Sequence, residues 1–340
     1  MIAAYLKRLD DIILKEVPAG SLGLDDIRLK IDACGICGTD VTDALDGGAD
    51  YRAFGHEIAG TILEAGAAVT HVTVGQKVVL ESSTACGKCS NCRNMKQELC
   101  DNVQSFWPRP PYGFAEEMVA PAITAVPYDG LTPEEACLSE PLGVALDLHR
   151  VADIQVGSHV LVSGLGPIGL MAVRLAKLSG AEKIYACDLS TATRRLELAR
   201  AFGADEIIKV DQVPLDKYAF AQPPDRFMVS SPPKTLPVML TIAAPKAIIA
   251  FIGIKYGPAG QIQFDANDFH FKRLQLRGSF AAPAMGTPQA LHLLKQGIID
   301  GKALVSHTFS LAELPKAMKM AAEDLEHSVK IVITPAKGQP

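Results

Sequence analysis

The stretch HVLVSGLGPIGL, residues 159–170, joins an apolar run to a glycine-rich turn of the pattern G-x-G-x-x-G. The apolar run predicts a buried strand, and the residues after the turn, through Leu178, predict a helix. In such a turn Gly164 permits the tight bend, Gly166 lets the backbone approach a pyrophosphate, and Gly169 lets the helix pack closely on the strand. The helix amino terminus adds a positive dipole. The motif predicts a dinucleotide site, although taken alone it also fits an ordinary glycine-rich connection.

An acidic residue ends the next predicted strand, KIYACD at residues 183–188. A carboxylate at this spacing accepts hydrogen bonds from the ribose 2′-hydroxyl and repels the 2′-phosphate of NADP, so Asp188 favours NAD. The alternative role for Asp188 is a helix cap. Arg194 and Arg195 follow closely enough to reach the adenosine ribose, or they belong to a solvated helix face. The predicted NAD contacts are Gly164, Gly166, Pro167, Ile168, Gly169, Asp188, Arg194 and Arg195.

The composition is that of a soluble globular protein. With 340 residues, 48% hydrophobic and 21% charged, the chain is long enough for two domains, each with its own core. A net charge of -5 without a Lys/Arg-rich run argues against nucleic acid as a partner. The amino terminus does not resemble a signal peptide, and the most apolar window, residues 236–254, is divided by Pro245 and Lys246. We therefore expect a cytoplasmic protein without a membrane span.

The pattern of strands and helices changes along the chain. Up to about Pro141, short alternating segments separated by Gly and Pro predict a twisted, mostly β domain. From His159, strands alternate with helices, which predicts an α/β unit with right-handed crossovers and a parallel sheet. The final helix and strand are expected to return to the first domain. The predicted division is 1–144, 145–281 and 282–340.

Four cysteines follow the pattern C-x2-C-x2-C-x7-C within a lobe at about residues 81–105. Thiolates at such short separations can surround a zinc ion tetrahedrally, and such a site is structural because no coordination position stays open. An iron-sulfur cluster and a pair of disulfides are the alternatives. Cys34, Cys137 and Cys187 lack partners at metal spacing and are expected to pack as small apolar groups. The predicted ligands are Cys86, Cys89, Cys92 and Cys100.

A second group of metal-ligand residues lies in CGICGTD, residues 34–40, and GHE, residues 55–57. These segments supply Cys37, His56 and Glu57, and an acid in SEPLG, Glu140, could complete the set. Three protein ligands and one exchangeable position are the arrangement that zinc needs for Lewis-acid catalysis. For His56 alone, a hydrogen-bonded core histidine would be the simpler explanation.

One further residue of this group has a predicted role in proton transfer. Thr39 follows Cys37 closely and could relay the proton of an alcohol outward.

Taken together, these motifs resemble the zinc-containing medium-chain dehydrogenase/reductase family, which includes alcohol and polyol dehydrogenases. The similar segments are CGTD at residues 37–40, GHEIAGTILEAGAAV at residues 55–69, the four-cysteine lobe, SEPLG at residues 139–143, and GLGPIG with Asp188. They are distributed over most of the chain.

The resemblance implies a GroES-like, mostly β catalytic domain and a doubly wound Rossmann coenzyme domain, with the active site in the cleft between them. It further implies two zinc ions per chain, NAD, and homodimers or homotetramers. Cys37 and His56 would be catalytic zinc ligands, and Glu57 a ligand or an alternating partner. Ethanol-type members have a third cysteine at the position of Glu140. The glutamate in this chain is instead similar to that of the polyol dehydrogenases. The span 211–227, rich in proline, is expected to lack a helix that relatives have there.

The leading hypothesis is an NAD- and zinc-dependent dehydrogenase that oxidises a secondary hydroxyl of a small-molecule polyol, sugar, sugar phosphate or acid, or cyclitol. A second hypothesis is oxidation of an amino alcohol, as in threonine dehydrogenases. A third is a non-catalytic nucleotide-binding protein on the same scaffold, because fold alone does not establish activity.

The segment SFWPRPPYGF, residues 105–114, is expected to lie beside the substrate, as the corresponding loop does in relatives. Phe106 and Trp107 are candidates for an apolar wall. Arg109, together with Arg52 in the segment before GHE, could bind a phosphate or carboxylate by bidentate hydrogen bonds. The alternative is that both arginines are ordinary solvated surface residues.

Overall fold

The computed structural model describes residues 1–334 and separates the chain into two compact units. The first unit contains Met1–Gly143, Ala281–Asp324 and the chain from Ser328, and the second contains Val144–Phe280 with Leu325–His327. These bounds differ by one residue from the predicted division at 144 and 281. The short segment Leu325–His327 is the other difference, because the predicted division placed it in the first domain.

Short strands dominate the first unit, whereas strands and helices alternate in the second. The strands are β1 (Ile2–Arg8), β2 (Asp11–Glu16), β3 (Asp26–Gly35), β4 (Glu57–Ala65), β5 (Lys77–Leu80), β6 (Ser83–Thr84), β7 (Gln104–Ser105), β8 (Glu117–Pro121), β9 (Ala125–Pro127), β10 (His159–Ser163), β11 (Lys183–Asp188), β12 (Glu206–Lys209), β13 (Arg226–Val229), β14 (Ile248–Phe251), β15 (Gln275–Gly278), β16 (Val305–Ser310) and β17 (Lys330–Thr334).

The α-helices are α1 (Gly38–Asp46), α2 (Ser90–Arg93), α3 (Pro133–Ala136), α4 (Ser139–Ala152), α5 (Pro167–Leu178), α6 (Thr193–Phe202), α7 (Leu236–Ile242), α8 (Ala266–Lys272), α9 (Thr287–Lys295), α10 (Gly301–Leu304) and α11 (Leu314–Glu323). Short 3-10 helices occupy Gln97–Leu99, Ala122–Thr124, Leu215–Lys217, Pro233–Thr235, Gly257–Gly260 and Leu311–Glu313.

Strand β3 is the centre of the main sheet in the first unit. The strand order is β16-β17-β3-β4-β5-β9, and β8 also pairs with β3. Side chains alternate between the two faces of a strand, and along β3 this places Ile27, Leu29 and Ile31 in the core, where Phe114 and Met118 are also buried. The predicted mostly β domain is confirmed.

The register of β3 and β4 brings the two metal-ligand motifs together. The strands are antiparallel, and Gly35 at the end of β3 lies opposite Glu57 at the start of β4. Cys37 follows the first of these residues and His56 precedes the second. A Cβ atom at position 35 would stand 2.0 Å from Oε2 of Glu57, so the approach requires glycine.

A buried ion pair joins this place to the last strand. Nζ of Lys330, the first residue of β17, lies 2.6 Å from each carboxylate oxygen of Glu57 and donates a further hydrogen bond to the carbonyl oxygen of Ile36 at 2.9 Å. Both charged side chains are almost completely buried. Burial opposes the charge of Lys330, but the neighbouring Glu57 carboxylate raises the pKa of Lys330 above its usual value. Lys330 therefore keeps its positive charge in this buried contact.

The second unit is a six-stranded parallel sheet, as predicted. Its strand order is β12-β11-β10-β13-β14-β15, so the chain builds outward from β10 in one direction and then in the other. This is the order of a doubly wound Rossmann sheet, in which ligands bind beyond the carboxyl ends of the strands where the order reverses. Between residues 211 and 227 the helical structure is limited to Leu215–Lys217, as expected from the prolines there.

The apolar window at residues 236–254 divides into α7 and β14. Within residues 1–334, the structure contains no helix with both the length and the apolar character that a membrane crossing requires.

Replacing the buried lysine should destabilise the first unit. In Lys330→Met the buried Glu57 side chain loses the hydrogen-bond partner of both its oxygens, and breaking a buried pair in this way costs about 3–5 kcal/mol. Urea denaturation should show this loss in the free energy of unfolding. The matched control is Lys319→Met, which removes an exposed lysine from α11. The double variant Glu57→Gln/Lys330→Met should regain part of the loss, and equal stability of Lys330→Met and Lys319→Met would contradict the prediction.

Candidate functional site

The four predicted lobe cysteines come together in the first unit. The Sγ atoms of Cys86, Cys89, Cys92 and Cys100 all lie within 4.8 Å of one another, and those of Cys89 and Cys100 are 4.0 Å apart. Four sulfurs bound at about 2.3 Å to one zinc ion would lie roughly 3.8 Å apart, so the observed set fits a tetrahedral zinc. All eight cysteines are free thiols, so the disulfide alternative is not what the structure shows.

Backbone N–H groups hold these sulfurs in place. Cys89 begins α2, and its N–H donates to Sγ of Cys86, while the N–H of Asn102 donates to Sγ of Cys100. Hydrogen bonds from the N–H groups of Lys88 and Cys89 lower the pKa of the Cys86 thiol to about 6. Donors directed at a sulfur favour the thiolate, which is the form that binds metal.

The three cysteines that belong to neither predicted set of metal ligands pack in the core. Cys34, Cys137 and Cys187 are all buried, as predicted. Burial is the main cause that raises the pKa of each thiol, and it brings the pKa of Cys187 to about 12.

Asp40 links the two segments of the second metal-ligand group. Its Oδ2 accepts a hydrogen bond from the N–H of Cys37 at 3.0 Å, and its Oδ1 accepts one from the N–H of Gly55 at 3.4 Å. The same Oδ1 lies 3.8 Å from Nδ1 of His56. The sequence motif contained Asp40, but its role was missed. The available signal was its position three residues after Cys37, the spacing of a capping box at the start of α1.

His56 lies next to the Cys37 thiol. Burial alone would lower the pKa of His56, but the negative charges of Cys37 and Asp40 and a hydrogen bond with Cys37 outweigh burial and raise it well above its usual value. The Trp107 ring is also adjacent, with its centroid 5.5 Å from that of the imidazole.

Glu140 lies in the first turn of α4 and shares the electrostatic environment of His56. Burial raises the pKa of Glu140 to about 7, an effect that the charge of His56 opposes. We refer to Cys37, His56 and Glu140 as the open donor set. Thiols, imidazoles and carboxylates are all groups that can bind zinc. A tetrahedral zinc ion with three such ligands has a fourth coordination position for water or substrate.

The open donor set differs from the lobe in how closely its atoms approach. Within residues 1–334 the four lobe cysteines are the only group of three or more ligand residues whose donor atoms all lie within 4.8 Å. The predicted ligand Glu57 is engaged elsewhere, because both of its oxygens accept hydrogen bonds from Lys330. In this conformation Glu57 is paired with Lys330, whereas the sequence predicted that it binds the catalytic zinc. Thr39 lies in the first turn of α1 and is exposed to solvent.

The two aromatic residues predicted for the substrate wall differ in exposure. Trp107 is 41% exposed and lies beside His56. Phe106 is completely buried and packs against Trp107 and Tyr112, with ring centroids 5.2 and 5.9 Å away. A side chain without exposed surface cannot line a pocket, so Phe106 supports Trp107 from the core.

Both predicted anion-binding arginines already have acidic partners. Arg109 lies 2.5 Å from Oδ1 of Asp26, and Arg52 lies 3.3 Å from Oδ2 of Asp43 and donates to the carbonyl oxygen of the same residue at 3.0 Å. The prediction of a substrate phosphate or carboxylate depended on available guanidinium groups. These ion pairs remove that support.

In the second unit, each motif glycine has the geometry that its predicted role requires. Gly164 has a φ of +85°, and a Cβ atom on Gly169 would stand 1.8 Å from the Gly164 carbonyl oxygen. Gly166 precedes α5, and the place of its missing Cβ atom is open space. The turn is therefore tight, the helix lies close to it, and the backbone at the helix amino terminus is accessible to a phosphate.

Asp188 is fixed at the end of β11. Its Oδ2 accepts a hydrogen bond from the N–H of Leu165 in the glycine turn at 2.7 Å, and its Oδ1 accepts one from the N–H of Leu189 at 2.8 Å. Arg194 and Arg195 lie in the first turn of α6 and are partly exposed. The two elements that the sequence predicted for dinucleotide binding, the glycine turn and the acid, are thus in direct contact.

Two family models match the chain. The model described as "Alcohol dehydrogenase GroES-like domain" matches residues 23–130, and the model described as "Zinc-binding dehydrogenase" matches residues 167–296.

Individual relatives match nearly the whole chain. The sorbitol dehydrogenase of Bacillus subtilis is 29% identical over 98% of this chain and 97% of its own length. The L-threonine 3-dehydrogenase of Mesorhizobium japonicum is 32% identical over 88% of this chain and 89% of its own length. A solved short chain alcohol dehydrogenase of Escherichia coli CFT073, in complex with NADH, superposes with a TM-score of 0.87 and is 26% identical, with 98% of this chain and 99% of that chain covered.

Removing one lobe cysteine should remove one zinc and weaken the fold. Metal analysis of the purified protein should find two zinc ions per chain, and Cys89→Ser should retain one and unfold at a lower temperature, because a closed structural site contributes folding free energy. The matched control is Cys34→Ala, which removes a buried thiol outside both groups and should leave the zinc content at two. One zinc per chain in the active unmodified protein would refute the two-site interpretation.

Proposed function

The chain belongs to the zinc-containing medium-chain dehydrogenase/reductase family, and from this premise we propose that it oxidises a secondary hydroxyl group of a polyol, sugar or cyclitol with NAD. The observation that carries the proposal is the open donor set, in which Cys37 and His56 are in contact and a carboxylate, Glu140, supplies the third ligand type. Its chemistry suits a zinc ion with one exchangeable position.

When bound, the two groups would supply the central chemistry, namely a Lewis acid for the substrate oxygen from zinc and a hydride acceptor from NAD. Cys37, His56 and Glu140 are the proposed ligands. Glu140 is favoured over Glu57 as the carboxylate because the Glu57 oxygens are bound to Lys330. The glycine turn and Asp188 would hold the dinucleotide.

The surrounding residues orient these groups and handle the proton. Asp40 accepts a hydrogen bond from the backbone just before His56 and places a carboxylate oxygen 3.8 Å from its Nδ1, where the negative charge favours an Nδ1–H directed at Asp40. Trp107 forms an apolar wall beside His56 and excludes water on that side. Thr39 is the proposed acceptor of the alcohol proton, and its exposure gives that proton a path to solvent.

Three alternatives to a neutral polyol substrate are supported to different degrees. An anionic substrate is disfavoured because Arg52 and Arg109 are paired with acids. Oxidation of an amino alcohol stays the second candidate, because L-threonine 3-dehydrogenases are among the relatives that match most of the chain. A non-catalytic nucleotide-binding protein would have had no need for the intact Cys37, His56 and Glu140.

We further propose that the protein is a homodimer or homotetramer. Among the described strands, β15 pairs only with β14, so one edge of the parallel sheet is open to another strand. The same unit exposes large apolar side chains, which is typical of a surface that another chain covers. These side chains are Ile254, Tyr256, Phe271 and Phe280.

A substrate panel tests the proposed reaction. Formation of NADH should be seen with sorbitol or myo-inositol, and sorbitol 6-phosphate should not be preferred over sorbitol. His56→Ala should lower turnover about a thousandfold or more, because Lewis-acid activation contributes several kcal/mol to the barrier and each 1.4 kcal/mol is about tenfold in rate. The control is His292→Ala, an exposed histidine on α9. Turnover of L-threonine and of no other substrate would support the amino-alcohol alternative. If zinc is present and none of the substrates yields NADH, the proposed dehydrogenase activity is rejected.

The charge of Asp40 should matter for activity. Asp40→Asn retains an oxygen for the Cys37 N–H but removes the negative charge near His56, and loss of such a partner of a metal ligand typically costs about 10–100-fold in metal affinity or activity. Zinc content and kcat/KM should both decrease. Asp43→Asn, on the same helix but paired with Arg52, is the control and should leave both unchanged. Similar values for the two variants would exclude the orienting role.

A further inference from the structure

Two neighbouring loops of the second unit are joined by one carboxylate. Ser190 follows β11 and Asp211 follows β12. The N–H of Ser190 donates to Oδ1 of Asp211 at 2.7 Å, and the hydroxyl of Ser190 donates to Oδ2 at 2.5 Å. Both donors of Ser190 are therefore occupied by both oxygens of one side chain.

The parallel pairing of the strands fixes this contact. Asp188 lies opposite Lys209 in the register of β11 and β12, and the N–H of Val210 donates to the carbonyl oxygen of Asp188 at 3.1 Å. Ser190 and Asp211 each lie two residues beyond this pair, so the parallel strands bring them together. The hydrogen bonds from Ser190 lower the pKa of Asp211, so this carboxylate is ionised at neutral pH.

The position of this contact relates it to cofactor choice. Asp188 is the acid that the Rossmann pattern assigns to the ribose 2′-hydroxyl, and Ser190 is two residues beyond it. A backbone N–H and a hydroxyl on one residue are donors that can bind a phosphate ester, and Arg194 and Arg195 supply cations in the next helix. Such a set would accept the 2′-phosphate of NADP if its donors were available.

We propose that Asp211 makes this protein selective for NAD over NADP by occupying the two hydrogen-bond donors of Ser190. The Asp211 carboxylate occupies the position at these donors that the 2′-phosphate of NADP would need. Its negative charge adds to the repulsion of that phosphate by Asp188. Asp211 is a positioning residue that acts through Ser190. The inference rests on the proposed dinucleotide function of the second unit.

Cofactor binding tests the inference without turnover. NADH and NADPH would be titrated into the zinc-loaded protein while nicotinamide fluorescence is followed. The unmodified protein should bind NADH more tightly, and Asp211→Ala should lower the Kd for NADPH about tenfold through released donors and reduced repulsion, while the Kd for NADH stays within about twofold.

Two further variants separate this role from general charge and from loop structure. Asp216→Asn removes a negative charge from the nearby turn Leu215–Lys217 and should leave both affinities unchanged. Ser190→Ala added to Asp211→Ala should cancel part of the NADPH gain, because one donor is lost. A purely structural role of Asp211 would weaken both cofactors together, and that result, or an unchanged NADPH affinity, would overturn the inference. Failure of the unmodified protein to bind either cofactor would instead reject the proposed dinucleotide function.

Discussion

The ion pair between Glu57 and Lys330 is the constraint around which the first unit is organised. It connects the starts of β4 and β17, and through the Ile36 carbonyl oxygen it also holds the segment that leaves β3. Two charges taken out of water are costly, and their attraction compensates for this only when hydrogen bonds satisfy both groups. Here Lys330 donates to three oxygens, so the contact is tolerated only in one relative position of the three strands. Cys37 and His56 lie directly next to these anchored residues.

Asp40 adds a second link at the same end of the sheet. The ion pair fixes the strands, whereas Asp40 fixes the loops, because it accepts hydrogen bonds from backbone groups on both sides of the donor set. A metal ligand that is held before the metal arrives loses less conformational freedom on binding. The ordering of Cys37 and His56 is therefore a property of the protein chain, and it follows from two carboxylates, Glu57 and Asp40, which serve the site through other residues.

How well the sequence predicts a feature of this protein depends on how far apart along the chain the interacting residues lie. The glycine turn and the cysteine lobe were predictable because each role is set within a few residues, by backbone conformation or by ligand spacing. The partner of Glu57 was not, because Lys330 is 273 residues away and only the strand order brings them together. Similarly, Arg52 and Arg109 looked available in the sequence, but folding pairs them with Asp43 and Asp26. The resemblance of its loop to a substrate loop of relatives predicts a pocket position for Phe106. Its burial depends instead on how that loop packs against the core.

The same difference in range explains why the two zinc-type sites are not alike. In the lobe, N–H groups two to fourteen residues away are directed at the sulfurs, so a single short segment of chain brings the four thiols within 4.8 Å. The open donor set takes its ligands from segments that are brought together by β3, β4 and α4, and its three donor atoms do not reach that mutual distance. The lobe is therefore closed by local geometry, whereas the open donor set depends on long-range contacts: Cys37 and His56 are ordered only because β3, β4 and Asp40 bring their segments together.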